Sequence, residues 1–295
     1  MTPNVHIVIL NWNGHQDTIA CVESCLQSTY PFFRILILDN GSNDNSETLL
    51  RQRFPDVELL QTGSNLGFAG GNNIGIRRAL ASGADYIWLL NNDTVVAPDA
   101  LTELVKAAVG SPRAGMVGSK ILFHDEPVTI WFAGAFWTAD GANIHHRGYG
   151  EKDAGQYDEP CKVDALTGCS LLVKAEVIKT IGLLREDYFL YSEDADWCRT
   201  AAEHGYELLY APSARVWHKV SGSVGNSSSL QWYYYTRNTC LFIERHKREK
   251  LFAHIVFHQS YQLRKALREK NREAVKGIVA GLKDYFLRRF GMRRK

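Results

Sequence analysis

The chain has 295 residues, of which 45% are hydrophobic and 22% charged, with a formal net charge of +2. These values suit a globular protein with a sizeable core, built as one large α/β domain or one domain with a smaller appendage. No apolar run reaches the roughly 20 residues that a helix needs to span a bilayer, which excludes a helical membrane span.

The six cysteines, at 21, 25, 161, 169, 198 and 240, form no Cys-x-x-Cys pair and read as reduced, packed thiols. Pro3, Asn4 and His6 lead directly into a strand with no signal-peptide pattern, so a cytoplasmic protein is expected. The charge is uneven. From Arg245 to Lys295 there are 16 Lys and Arg against four acids, about +12, which leaves the rest of the chain about −10. A basic tail on an acidic body points to an anionic partner, either nucleic acid or the inner leaflet of a membrane.

"VHIVIL" (5–10) is a continuous apolar strand ending at Asn11-Trp12-Asn13-Gly14, and a helix follows over 15–28. "RILILDN" (34–40) is a second buried strand, with a helix over 44–53. A third strand covers 57–61, and a glycine-opened helix covers 67–83. "YIWLLNN" (86–92) is the fourth strand, and the next helix spans 97–110. Strands alternating with helices imply βαβ units and a mostly parallel sheet, and continuous rather than alternating apolar strands imply cover on both faces. Beyond residue 113 come short strands and turns, including one strand over 130–137 and another within 165–173. A loop then feeds a helix within 188–206, and a strand covers 207–218. The Gly/Ser-rich segment 219–229 reads as mobile, and the remainder is helical.

In parallel sheets of this kind the ligand sits at the carboxyl ends of the strands. Here those ends carry Asn11, Asp39 and Asn40, then Asn91, Asn92 and Asp93. Each motif also has a plain structural reading. Asp39 can bind a ribose hydroxyl or a base N–H, or can close an Asx-turn. The small residues of "NLGFAGGNN" (65–73) can admit an anion at a helix start, or can pack a helix tightly on the sheet. Asp93 can ligate a hard divalent cation, with Asn91 adding a neutral oxygen, or can cap the following helix. "SEDADWCR" (192–199) holds Glu193, Asp194 and Asp196, which suit either a helix N-terminus or a general base beside a substrate hydroxyl. His218 can be a metal ligand, a lid anchor or a satisfied histidine. "LQWYYYTRN" (230–238) reads mainly as packing, with some contact to sugar rings or a pyrophosphate through its aromatics and Arg237.

Taken together, "VILNWNG", "LDNGSNDNS", "NLGFAGGNN", "LLNNDT", "TGCSLLVK", "YSEDADWCRTAAEHGY" and "VWHK" resemble the family-2 glycosyltransferases of GT-A fold, in that family's order, and most of all their rhamnosyltransferase-like branch. The resemblance covers residues 4 to 245. It implies an α/β GT-A domain over 1–245 and a basic helical C-terminal extension over 246–295. It implies that Asp39 holds the base or ribose and that Asn11, Asn65, Gly70, Asn72, Asn91 and Asn92 line the donor site. Asp93 and His218 would hold a divalent metal, Mn or Mg. Asp194 would be the catalytic base, and Gly168, Glu193, Asp196 and Arg237 would lie on the acceptor side. The reaction implied is inverting transfer of a sugar, with rhamnose favoured, from a dTDP-, UDP- or GDP-sugar to a hydroxyl of a glycan or lipid-linked acceptor in surface polysaccharide biosynthesis. Asn91 stands where the family's metal motif carries its first aspartate, so the site has one charge fewer. The Gln-x-x-Arg-Trp signature of processive synthases is absent, which favours single transfer.

Three other readings are weighed. A dinucleotide-binding enzyme needs Gly-x-Gly-x-x-Gly after the first strand, and residues 11–16 read Asn-Trp-Asn-Gly-His-Gln. A non-catalytic sugar-nucleotide module agrees with Asn91 but not with Asp93, Asp194 and His218 together. Nucleic-acid binding would rest on the tail alone, and no nucleic-acid partner is expected. The tail mixes basic with apolar residues, which suits a helix lying at an anionic membrane.

Overall fold

A computed structural model describes residues 2–138, 144–220 and 228–293. The first half alternates as read from the sequence: β1 (Val5–Asn11), α1 (His15–Leu26), β2 (Phe33–Asp39), α2 (Ser46–Arg53), β3 (Glu58–Gln61), α3 (Gly67–Ala81), β4 (Tyr86–Asn91), β5 (Thr94–Val96) and α4 (Ala100–Gly110). β4, β1, β2 and β3 are neighbours in that order and all parallel. Val5, Ile7, Val8 and Ile9 are wholly buried because helices cover both faces of the sheet. α1 shows how: Thr18, Cys21, Val22 and Cys25 are buried at helical spacing, forming one stripe against the strands.

The second half adds β6 (Ala114–Phe123), β7 (Ile130–Phe132), β8 (Ala135–Trp137), β9 (Ile144–His146), β10 (Cys161–Val163), β11 (Ser170–Lys174), α5 (Ala175–Ile181), α6 (Glu193–Glu203) and β12 (Glu207–His218). β11 inserts antiparallel between β4 and β6, and β12 runs parallel to β6. The sheet is thus mostly parallel along its main path, with antiparallel pairs on the later strands. The single strand expected over 130–137 is two strands, because Gly134 turns the chain at φ +91°. β7 then joins β6, while β8 pairs with β9 apart from the main sheet.

From residue 228 the described chain is helical: α7 (Ser229–His246), a 3₁₀ turn (Arg248–Lys250), α8 (Leu251–Ala253), a π-helical stretch (His254–Gln259), α9 (Ser260–Arg268) and α10 (Arg272–Phe286). Ser228 and Asn271 cap α7 and α10, accepting from the Gln231 and Ala274 N–H groups. α10 lies directly on α7. A Cβ on Gly277 would come within 2.5 Å of the Ser229 carbonyl oxygen, and one on Gly281 within 2.7 Å of the Tyr233 carbonyl oxygen. The two helix backbones meet where these glycines leave room, and Ala266, Ala274 and Ile278 form a small core against Trp232. Among the described residues, no helix is long and apolar enough to cross a membrane. The Gly/Ser-rich reading falls mostly on 221–227, outside the described residues.

Candidate active site

The parallel strands end at one side of the sheet, where a cleft of about 1160 Å³ opens. Three local arrangements build its wall. First, β5 pairs antiparallel with the end of β12, in a register that sets His218 opposite Thr94. The Lys219 N–H donates to the Asp93 carbonyl at 2.9 Å, closing that ladder. As a result His218 Nε2 lies 3.1 Å from Asp93 Oδ1, with both side chains largely buried and the Trp131 ring edge-on to the imidazole at 4.6 Å.

Burial alone would push the His218 imidazole down, but the Cys169 sulfur and the Asp93 carboxylate outweigh it, and the imidazole is raised. Cys169 is itself pushed up by burial and stays a neutral thiol near neutral pH, so Asp93 supplies the charge.

Second, β11 pairs with β4, and the Asn91 N–H donates to the Cys169 carbonyl at 2.9 Å. This brings Thr167, Gly168 and Cys169 to the cleft beside the end of β4. The Gly168 N–H then donates to Asp194 Oδ2 at 2.9 Å, and the Ala195 N–H donates to Asp194 Oδ1 at 2.8 Å. Asp194 sits in the first turn of α6, at the positive end of the helix dipole. Its neighbour Glu193 also lines the cleft but is 4% exposed, and its Oε2 has no hydrogen-bond partner among the described residues. Burial, then the Asp194 charge, push the Glu193 carboxyl up to about 8, so it is a neutral acid at pH 7.

Third, the loop before α6 is held in an uncommon shape. Phe189, Tyr191 and Ser192 have φ of 64°, 70° and 73°. Asn238 Nδ2 bonds the carbonyls of Tyr188, Leu190 and Tyr191 at 2.8–2.9 Å. Arg237, wholly buried, donates to the carbonyls of Asp187 and Tyr188. Tyr191 stacks on Tyr235 at 4.5 Å and Phe189 on Tyr234 at 5.4 Å, which puts aromatic faces on the cleft. Opposite, the Phe68 N–H donates to the Phe189 carbonyl. Gly67 (φ +73°) leaves no room for a side chain, since a Cβ would stand 2.3 Å from that carbonyl oxygen.

Asp93, Asp194 and His218 therefore share one cleft, together with Asn65, Asn91, Asn92, Gly168 and Glu193. Other expected site residues do not line it. Asp39 is fully buried, and its oxygens accept from Asn11 Nδ2, the Ser42 N–H and Gln61 Nε2. Asn11 is likewise buried, so the pair braces the ends of β1 and β2 behind the wall. Gly70 abuts Leu66 and Glu186, and Asn72 donates to the Phe68 carbonyl within its own helix. Asp196 accepts from Tyr188 Oη, Arg245 Nε and His246 Nε2, tying α6 to the end of α7. Arg237 is committed to backbone carbonyls. For Asp196 and Arg237, burial in a saturated network replaces the expected place on the acceptor side.

Asn40, noted at its strand end, does line the cleft, and so do residues the sequence did not single out. Trp12 follows directly from the end of β1. Met292 and Arg293 come from the far end of the chain, returned there by Gly291, whose N–H donates to the Asp187 carbonyl and whose own carbonyl accepts from Arg237.

A family model described as "Glycosyl transferase family 2" matches residues 6–182. The chain belongs to glycosyl transferase family 2. As a family-2 chain it is a glycosyltransferase, and it is similar to rhamnosyltransferases. It is 28% identical over 279 residues to an N-acetylglucosaminyl-diphospho-decaprenol L-rhamnosyltransferase of Mycobacterium tuberculosis, covering 84% of this chain and 88% of that one. It is 23% identical over 261 residues to the dTDP-rhamnosyl transferase RfbF of Shigella flexneri, covering 83% and 81%.

Two solved structures share the GT-A fold of this family-2 chain, each with a TM-score of 0.63. The mannosyltransferase PcManGT of Pyrobaculum calidifontis, in complex with GDP-Man and Mn2+, is 14% identical over 97% of this chain and 88% of that one. GalNAc-T7 with UDP, GalNAc and Mn2+ is 18% identical over 82% of this chain, which spans 48% of that longer one.

Proposed function

We propose that this chain moves a sugar, rhamnose in the favoured case, from a nucleotide-diphospho-sugar to a hydroxyl of a lipid-linked glycan, with inversion at the anomeric carbon. The observation that carries this reading is the meeting of Asp93, His218 and Asp194 in one cleft walled by aromatic rings. Trp12, Asn40 and Asn65 form the nucleotide side, with Asp39 bracing them from behind. Asp194 is the general base. Its carboxylate, held by the Gly168 and Ala195 N–H groups, takes the acceptor hydroxyl proton as that oxygen attacks. Tyr191 and Tyr235 offer aromatic surface to the sugars.

A divalent cation fits beside Asp93 and His218. Asp93 Oδ1 and His218 Nε2 lie 3.1 Å apart at the cleft wall, and with the imidazole proton displaced they are a donor set that would suit Mn²⁺ or Mg²⁺. Among the described residues no group of three or more His, Cys, Asp or Glu could hold a metal, so a bound ion would take its other ligands from the donor and water. When bound, it would offset the negative charge that develops on the leaving diphosphate.

The similarity to the mycobacterial enzyme, whose name specifies a sugar on a decaprenol diphosphate, supports this acceptor class. The basic extension, with Phe252 and Phe257 exposed beside its cations, would rest on the inner face of a membrane carrying that lipid.

Asp194→Asn is expected to fold and to bind nucleotide with Mn²⁺ as before, while transfer falls by about 10²- to 10⁴-fold. Retention of most turnover would remove Asp194 as the base. Asp93→Ala is expected to abolish the Mn²⁺-dependent part of the thermal shift given by nucleoside diphosphates. A panel of dTDP, UDP and GDP in the same assay identifies the donor's base by the largest shift.

A further inference from the structure

A second cavity, of about 580 Å³, lies between α10 and the returning tail and shares Met292 and Arg293 with the active-site cleft. Its wall carries Lys283, Arg288, Arg289 and Arg293 against a single carboxylate, Asp284. Arg288 is paired with Glu244, and Arg289 reaches Asp284 only at 3.7 Å. Among the described residues no carboxylate lies within ion-pair distance of Lys283 or Arg293. Arg293 instead places its guanidinium over the Tyr233 ring at 4.6 Å.

Cations at the end of a helix complement its dipole, but one or two satisfy that need. Here Lys283 and Arg293 are left over once Arg288 pairs with Glu244 and Arg289 faces Asp284, and two such cations in one concavity favour a compact, multiply charged anion. Beside the cavity, Phe286, Leu287 and Met292 are each more than half exposed, an apolar edge next to the cationic one.

We propose that this cavity binds the diphosphate of the acceptor lipid, with the apolar edge taking the start of its hydrocarbon chain. The inference rests on the glycosyltransferase reading above and adds the place where the acceptor is held. In a sugar linked to a lipid through a diphosphate, the anion lies one sugar ring from the attacking hydroxyl. A cationic cavity that shares Met292 and Arg293 with the cleft is a place for that anion while its sugar enters the cleft.

The test is calorimetric binding of farnesyl diphosphate to the full chain, compared with farnesol, inorganic pyrophosphate and phosphatidylglycerol vesicles. Binding of UDP or dTDP with Mn²⁺ is measured alongside. Wild type is expected to bind farnesyl diphosphate at least tenfold more tightly than farnesol or inorganic pyrophosphate. Lys283→Ala/Arg289→Ala is expected to lose about tenfold or more of that affinity and to keep its nucleotide binding, as removal of two charge-assisted contacts implies.

Equal binding of farnesol, equal binding of inorganic pyrophosphate, or an unchanged affinity in the double variant would each overturn the proposal. So would a variant that loses only its vesicle binding, since the cations would then serve phospholipid headgroups. Failure of the wild type to bind any nucleotide would count against the donor reading instead, and the farnesyl diphosphate arm would still decide this one.

Discussion

Glu193 and Asp194 are adjacent carboxylates in different surroundings. Asp194 has two backbone donors and faces the cleft, whereas Glu193 is buried beside it and protonated at pH 7. Because burial raises the Glu193 value from 4.5 to about 8, its contribution to stability is whole below about pH 4.5 and is lost as pH rises through about 8. Glu193→Gln removes that titration. It is expected to flatten the fall in melting temperature over this window and to stabilise the chain at pH 7 by on the order of 3 kcal/mol. Calorimetric melts of both proteins from pH 5 to 9 check this, and parallel curves would contradict it. The sequence showed three acids within four residues but not which of them are enclosed. Glu193, Asp194 and Asp196 differ in burial only because α6 packs on α7 and the Gly168 turn, and those contacts come from distant parts of the chain.

At the scale of elements, the loop 187–192 sets where Asp194 points, and it is held from α7. Arg237 and Asn238 satisfy four of its carbonyls, those of Asp187, Tyr188, Leu190 and Tyr191, which offsets the cost of three left-handed residues. Asn238→Ala leaves buried carbonyls without donors, at about 1–3 kcal/mol. It is expected to lower the transfer rate while nucleotide binding stays near wild type, because the nucleotide side is built on β1, β2 and α3. Gly67→Ala is expected to be worse for folding, since it meets the same loop from the other side with both a steric and a φ penalty. Circular dichroism melts and single-turnover assays separate the two effects. The strands and most helices of this region were legible, because apolar runs and helical spacing are local signals. Gly70 and Asn72 show the limit. A glycine-rich helix start looks the same in sequence whether it faces a ligand or a neighbouring side chain, and here Gly70 faces Leu66.

For the whole molecule, the division at residue 245 is less simple than the charge pattern suggested. α7 brings Arg237 and Asn238 to the loop 187–192, and α10 covers α7 through Gly277 and Gly281. Gly281→Leu would drive a side chain into the Tyr233 carbonyl and the Thr236 side chain. It is expected to cost about 2 kcal/mol or more and to lower transfer as well as melting temperature, since the loop is fastened through the same helix. A variant that melts early but transfers at the normal rate would show the extension to be independent of the site. The composition of the tail announced a basic helical segment, but its return to the cleft at Met292 and Arg293 is a tertiary event with no local signature.

That return has a practical consequence for anyone producing this enzyme. A purification handle fused just after Arg293 would begin at the mouth of the reaction chamber, where it would crowd the acceptor or lend charges of its own. The same handle placed ahead of β1 enters at the amino-terminal edge of the parallel strands, on the far side of the sheet. The two fusions should therefore differ in apparent acceptor affinity even where they do not differ in yield.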